Sequence, residues 1–168
     1  VSWSRGLGDV YKRQIQKSLS KLVAKERMSQ FDADETIARI TTTTNRNDCA
    51  DVDLVVEAVP EILDLKTSIF SELDEICKPE CILASNTSSI SISTIANATS
   101  RPDKVIGMHF MNPVPIMKLV EIINGDQTSE ATNFAVVEAA EKMGKTALSC
   151  NDSPGFVCLL YTSDAADD

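Results

Sequence analysis

The sequence predicts an α/β domain of the doubly wound type, built on a mostly parallel sheet. Strand-like and helix-like segments alternate along the chain, which implies βαβ units with right-handed crossovers. One strand candidate, Asp53-Leu54-Val55-Val56-Glu57-Ala58-Val59, is apolar almost throughout, as expected of a strand covered on both faces.

The elements follow in order. Ile15, Leu19, Leu22 and Val23 recur at helical spacing, with Lys17, Lys21 and Lys25 off that stripe, and predict an amphipathic helix over 15–29. The β-branched run 37–43 predicts a short strand. After the strand at 53–59, Ile62, Leu65, Ile69, Leu73 and Ile76 mark a helix that Pro79 stops. A strand over 81–84 leads to the polar turn Ser85-Asn86-Thr87-Ser88-Ser89 and a short helix near 92–98. Two more strands, 104–110 and 118–123, flank a connector with Pro113 and Pro115. Phe134, Val137 and Met143 set the face of a last helix, which Gly144 can end in a left-handed cap, before a strand over 146–150. Residues 1–14 and 158–168 lack this periodicity and read as non-native, linker-like sequence. The domain proper is expected to span 15–151, with 152–157 opening a linker.

The chain has 168 residues, 43% apolar and 24% charged, an ordinary globular balance. Its net charge of −9 leaves no basic stripe for phosphate backbones, so nucleic acid is not an expected partner. No apolar run is long enough to span a bilayer, so no membrane is expected either. Five cysteines without a CxxC pair suit a reduced, cytoplasmic chain, and no metal is expected.

Ligands of open α/β sheets bind beyond the carboxyl ends of the strands, and the 85–89 turn sits at such an end. Ser89 and Ser91 are read as helix caps, whereas Asn86 and Ser88 are equally suited to capping or to a ligand. His109 is the only histidine. It ends the strand 104–110, and if that strand pairs antiparallel with 118–123, Glu121 becomes its cross-strand neighbour. A carboxylate on one ring nitrogen fixes the tautomer and leaves the other as a base. The competing reading gives Glu121 a surface salt bridge to Lys118.

Four segments, Ser85-Asn86-Thr87-Ser88-Ser89, Gly107-Met108-His109-Phe110-Met111-Asn112-Pro113-Val114-Pro115, Met117-Lys118-Leu119-Val120-Glu121 and Asp152-Ser153-Pro154-Gly155-Phe156, together resemble the L-3-hydroxyacyl-CoA dehydrogenase family over essentially all of 15–157. The resemblance implies a Rossmann-like domain that binds NAD, followed by a helical domain used in dimerisation, and an acyl-CoA substrate. By its motifs His109 matches the catalytic base, Glu121 its carboxylate partner, and Ser88 a serine that contacts both substrate oxygen and nicotinamide. Glu61, Lys66, Asn86 and Asn112 match cofactor-side positions, and Ser18 and Lys25 positions near the CoA moiety.

The sequence also departs from the family pattern. The first strand and the glycine-rich phosphate loop are not found; Gly6-Leu7-Gly8 follows no strand and has no third glycine. Leu159 stands where the family has an active-site asparagine, and the family's helical domain is not expected within these 168 residues. The first βα unit is therefore expected to be missing, leaving an incomplete sheet and a chain with little activity on its own.

Overall fold

The structure, a computed structural model, describes residues 3–153 and residue 156, with side chains described from Gly8 onward. The chain divides into two compact units, Val1–Asp48 and Cys49–Asp168.

The first unit holds two helices, α1 (Trp3–Ala24) and α2 (Gln30–Ala38). Helix α1 starts and ends earlier than the expected 15–29. Its end is closed by hydrogen bonds from the Glu26 and Arg27 amides to the Val23 and Leu22 carbonyls, with Glu26 in the left-handed region at φ 55°. The strand expected over 37–43 is not formed. Ser29 caps α2 instead, accepting from the Asp32 amide at 3.0 Å, and the helix runs into that β-branched stretch. Local capping here outweighs β propensity.

The second unit is a five-stranded sheet in sequential order: β1 (Leu54–Glu57), β2 (Ile82–Ser85), β3 (Val105–Phe110), β4 (Leu119–Asn124) and β5 (Thr146–Asn151). The β1–β2, β2–β3 and β4–β5 pairs are parallel and β3–β4 is antiparallel, so the expected mostly parallel α/β architecture is present. Helix α3 (Leu63–Ile76) connects β1 to β2, α4 (Ile92–Ala96) connects β2 to β3, and α5 (Glu130–Lys142) connects β4 to β5. Among the described residues only helical elements precede β1, and no glycine-rich turn follows a first strand.

Two apolar cores cover the two faces. Phe70, Leu73, Leu83, Ile92, Ile95 and Ile123 pack on one face with Phe156; Ile106, Met108, Val120, Ile122, Val136 and Ala140 pack on the other, under α5. The face expected for α5 is corrected in part by this: Val137 packs against the core as expected, beside buried Val136 and Ala140, while Phe134 and Met143 are exposed. Gly144 does end the region in the left-handed conformation, at φ 74°. The two-residue alternation of a strand sends Ile106 and Met108 to the α5 side, and hence Gly107 and His109 to the α3–α4 side. A Cβ on Gly107 would lie 2.8 Å from Ile123 and 3.1 Å from Ile92, so the missing side chain is what lets α4 lie close on β3. The same close approach brings the turn before α4 next to the end of β3.

Candidate active site

The site is assembled at the carboxyl ends of β1, β2 and β3. The antiparallel register sets His109 directly opposite Glu121. Imidazole Nδ1 lies 2.8 Å from Glu121 Oε2, and Glu121 is fully buried. The alternative pairing of Glu121 with Lys118 is not what the register produces. An ionised carboxylate only accepts, so it favours a proton on Nδ1, and in that tautomer Nε2 is an acceptor. Ser88 Oγ stands 3.1 Å from that Nε2. The Phe156 ring, itself buried, packs beside the imidazole at a centroid distance of 6.0 Å. His109 is thus held on one side, shielded on another, and open toward the exposed Ser88.

The turn carrying Ser88 is held from below. Glu61 Oε1 accepts from the Thr87 hydroxyl and from the amides of Ser88 (3.0 Å) and Ser89 (3.1 Å). Burial alone would raise the Glu61 carboxyl, but these hydrogen bonds and the Lys66 charge outweigh it and lower it from 4.5 to about 2. Ser91 caps α4, accepting from the Thr94 amide at 3.2 Å, and Asp152 accepts from the Ser91 hydroxyl at 2.7 Å and the Ser93 amide at 2.9 Å. Asn86 Oδ1 accepts from the Phe110 amide at 2.8 Å, tying the turn to the end of β3.

The other candidate residues fall in three places. Asn112 is exposed just beyond β3. Lys66 is buried on α3, with its ammonium committed to Glu57 at 2.8 Å and near Glu61 at 3.3 Å. It reaches the rim through Glu61 rather than by its own exposure. Ser18 and Lys25 belong to the first unit: Ser18 is exposed on α1 and donates to the Gln14 carbonyl, and Lys25 is exposed just past the end of that helix. Leu159 lies outside the described residues.

Sequence reasoning passed over Glu57. The signal was available, since it is the one charged residue within the strand Leu54–Glu57 and a lysine follows nine positions on. Among the described residues no group of three or more His, Cys, Asp or Glu is placed to hold a metal ion.

A nucleotide-type sheet with a carboxylate-backed histidine and a serine hydroxyl at its carboxyl rim defines the class: a dinucleotide-dependent dehydrogenase domain. Residues 5–153 match the family model described as 3-hydroxyacyl-CoA dehydrogenase, NAD binding domain, and the chain belongs to that family. It is 58% identical over 144 residues to a probable 3-hydroxybutyryl-CoA dehydrogenase of Deinococcus radiodurans, covering 85% of this chain and 51% of that protein. It is 43% identical over 155 residues to human mitochondrial hydroxyacyl-coenzyme A dehydrogenase, covering 87% and 48% respectively. The crystal structure of (S)-3-hydroxybutyryl-CoA dehydrogenase from Ralstonia eutropha matches with a TM-score of 0.81 at 46% identity, over 84% of this chain and 50% of that one. The chain therefore spans about half the length of these relatives.

The described residues fit the nicotinamide end of the family's cofactor, NAD. Glu61, Ser88 and Asn112 present exposed polar groups just beyond β1, β2 and β3, where a dinucleotide lies in this fold class. Among the described residues no glycine-rich turn offers backbone amides to a pyrophosphate.

Proposed function

We propose that this domain serves the interconversion of an (S)-3-hydroxyacyl-CoA and the corresponding 3-oxoacyl-CoA, with His109 as the base. The row Ser88 Oγ, His109 Nε2, His109 Nδ1 and Glu121 Oε2 carries this reading. When bound, NAD supplies the hydride acceptor for the carbon bearing the alcohol. His109 Nε2 takes the hydroxyl proton in the oxidative direction and returns it in the reductive one. Glu121 keeps the resulting imidazolium stable without itself taking the proton. Ser88 donates to the substrate oxygen and holds it in reach of His109, a positioning effect worth several kcal/mol when the geometry is right.

Glu61, Asn86 and Asn112 would hold the nicotinamide end, with Lys66 acting behind Glu61. Ser18 and Lys25 would lie toward CoA, where a lysine charge adds modest attraction to phosphate that salt screens. The net charge of −9 argues against nucleic acid and anionic membranes as partners. The reduced cysteines Cys49, Cys77 and Cys81 favour a cytoplasmic setting. The whole protein would work as a homodimer, within fatty-acid or butanoate metabolism. A non-catalytic role for the same fold requires none of Ser88, His109 or Glu121, and their alignment supports the enzymatic reading over it.

The test is a chimera in which residues 15–153 replace the matching segment of the Deinococcus relative. The proposal expects the chimera to oxidise NADH with acetoacetyl-CoA and its His109→Gln variant to lose that turnover. An inactive, folded chimera, or one indifferent to His109→Gln, would overturn it.

A further inference from the structure

We infer that Glu57 is a positioning residue: through Lys66 and Glu61 it fixes the turn that aims Ser88 at His109. The inference rests on the dehydrogenase reading only for what Ser88 and His109 accomplish.

Glu57 ends β1 and is almost wholly buried, yet it is an acidic side chain paired with the Lys66 ammonium at 2.8 Å. Its Oε1 accepts from the Val59 amide and from Lys66 Nζ at 2.8 Å; its Oε2 accepts from Lys66 Nζ at 3.1 Å and from the Ser85 hydroxyl at 2.7 Å. One carboxylate thus joins the end of β1, the first turns of α3 and the end of β2. Replacing such a buried pair with apolar residues is often neutral or stabilising, so the fold alone gives little reason for it.

What lies above the pair supplies the reason. Lys66 is the one ammonium between two carboxylates, nearer to Glu57 at 2.8 Å than to Glu61 at 3.3 Å. Because Glu57 takes the stronger contact, Glu61 faces Lys66 with Oε2 alone. Its Oε1 is left to gather the Thr87 hydroxyl and the Ser88 and Ser89 amides. Ser85, the second side-chain donor to Glu57, in turn accepts from the Thr87 amide at 3.2 Å, so the turn is tied to Glu57 by a second route. A neutral side chain at 57 would leave Lys66 without its anchoring charge and Ser85 with a weaker acceptor, so Glu61 and the Ser85 hydroxyl would both lose their support and the amides of 88 and 89 would loosen.

The test uses the full 168-residue chain without cofactor or substrate, so it stands apart from the turnover test above. His109 is the sole histidine, and its ring gives a single imidazole set in the NMR spectrum. In Glu57→Gln we expect amide exchange at Ser88 and Ser89 to quicken at least tenfold and the imidazole signal to move. Amides of the β3–β4 ladder should keep their protection. In the double variant Glu57→Gln/Lys66→Met, which buries no unpaired charge, the turn amides should be released in the same way. An unchanged turn and imidazole in folded Glu57→Gln would overturn the inference. So would a double variant that restores both, because Glu57 would then serve only to neutralise Lys66. Should the single variant not fold, the double variant decides: a released turn supports the inference and a native-like one refutes it.

Discussion

His109 and Glu121 are direct cross-strand partners in the one antiparallel pairing of the sheet, and that pairing alone puts imidazole Nδ1 2.8 Å from a buried carboxylate oxygen. Neither residue relies on a loop for its place. In the chimera, Glu121→Gln is expected to lower kcat by about 10²-fold or more with little change in KM, since the group stabilises the charged ring and touches no ligand. Steady-state kinetics with acetoacetyl-CoA varied will show which constant moves.

The Glu61 carboxyl is held at about 2 in the fold against an ordinary 4.5. A depressed acid stabilises the native state above its unfolded value and loses that contribution as pH falls toward its folded value. The order of the 87–89 turn should therefore weaken progressively between about pH 4.5 and pH 2. Ser88 and Ser89 amide signals followed through an acid titration will report this, and Glu61→Gln should abolish the pH dependence within that window.

Gly107→Ala is expected to cost about 1–3 kcal/mol, because the added methyl meets Ile123 at 2.8 Å and Ile92 at 3.1 Å in a packed core. The urea midpoint should fall. His109, two residues along the same face of β3, should show a shifted ring signal as α4 is pushed away.

Arg101 closes the carboxyl end of α3. It pairs with Asp74 and donates to the main-chain carbonyls of Asp74, Cys77 and Lys78. Arg101→Lys keeps the charge but loses the planar fork, and should destabilise by about 1–3 kcal/mol through unsatisfied, part-buried acceptors. Chemical denaturation compared with wild type measures it.

The sheet and the imidazole–carboxylate pair were legible because their signals are local and redundant. The run Leu54–Glu57 and the helix spacing from Ile62 to Ile76 each point to one structure, and the odd–even alternation around His109 and Glu121 sets their common face. Gly144 announced its own left-handed turn. Glu26 did not: the end of α1 adopts the same backbone conformation without the glycine that usually marks it. The β-branched residues from Ile37 onward point to a strand, but the Ser29–Asp32 cap starts a helix that takes in Ile37 and Ala38. The misplaced face of α5 has a different origin. Phe134 and Met143 are exposed and only Val137 of the expected face packs against the core, where the smaller Val136 and Ala140 fit the close helix–sheet contact. The support beneath Ser88 was hidden for another reason. Glu57, Lys66, Glu61 and Ser85 come from separate elements, and only tertiary structure brings them together.

The reversal of chain direction at β4 has one more consequence. Because hydrogen bonding between β3 and β4 sets the register, the proline-bearing connector between them does not determine how the imidazole meets its acid. That loop is free to change length or composition while the imidazole and the carboxylate keep their alignment.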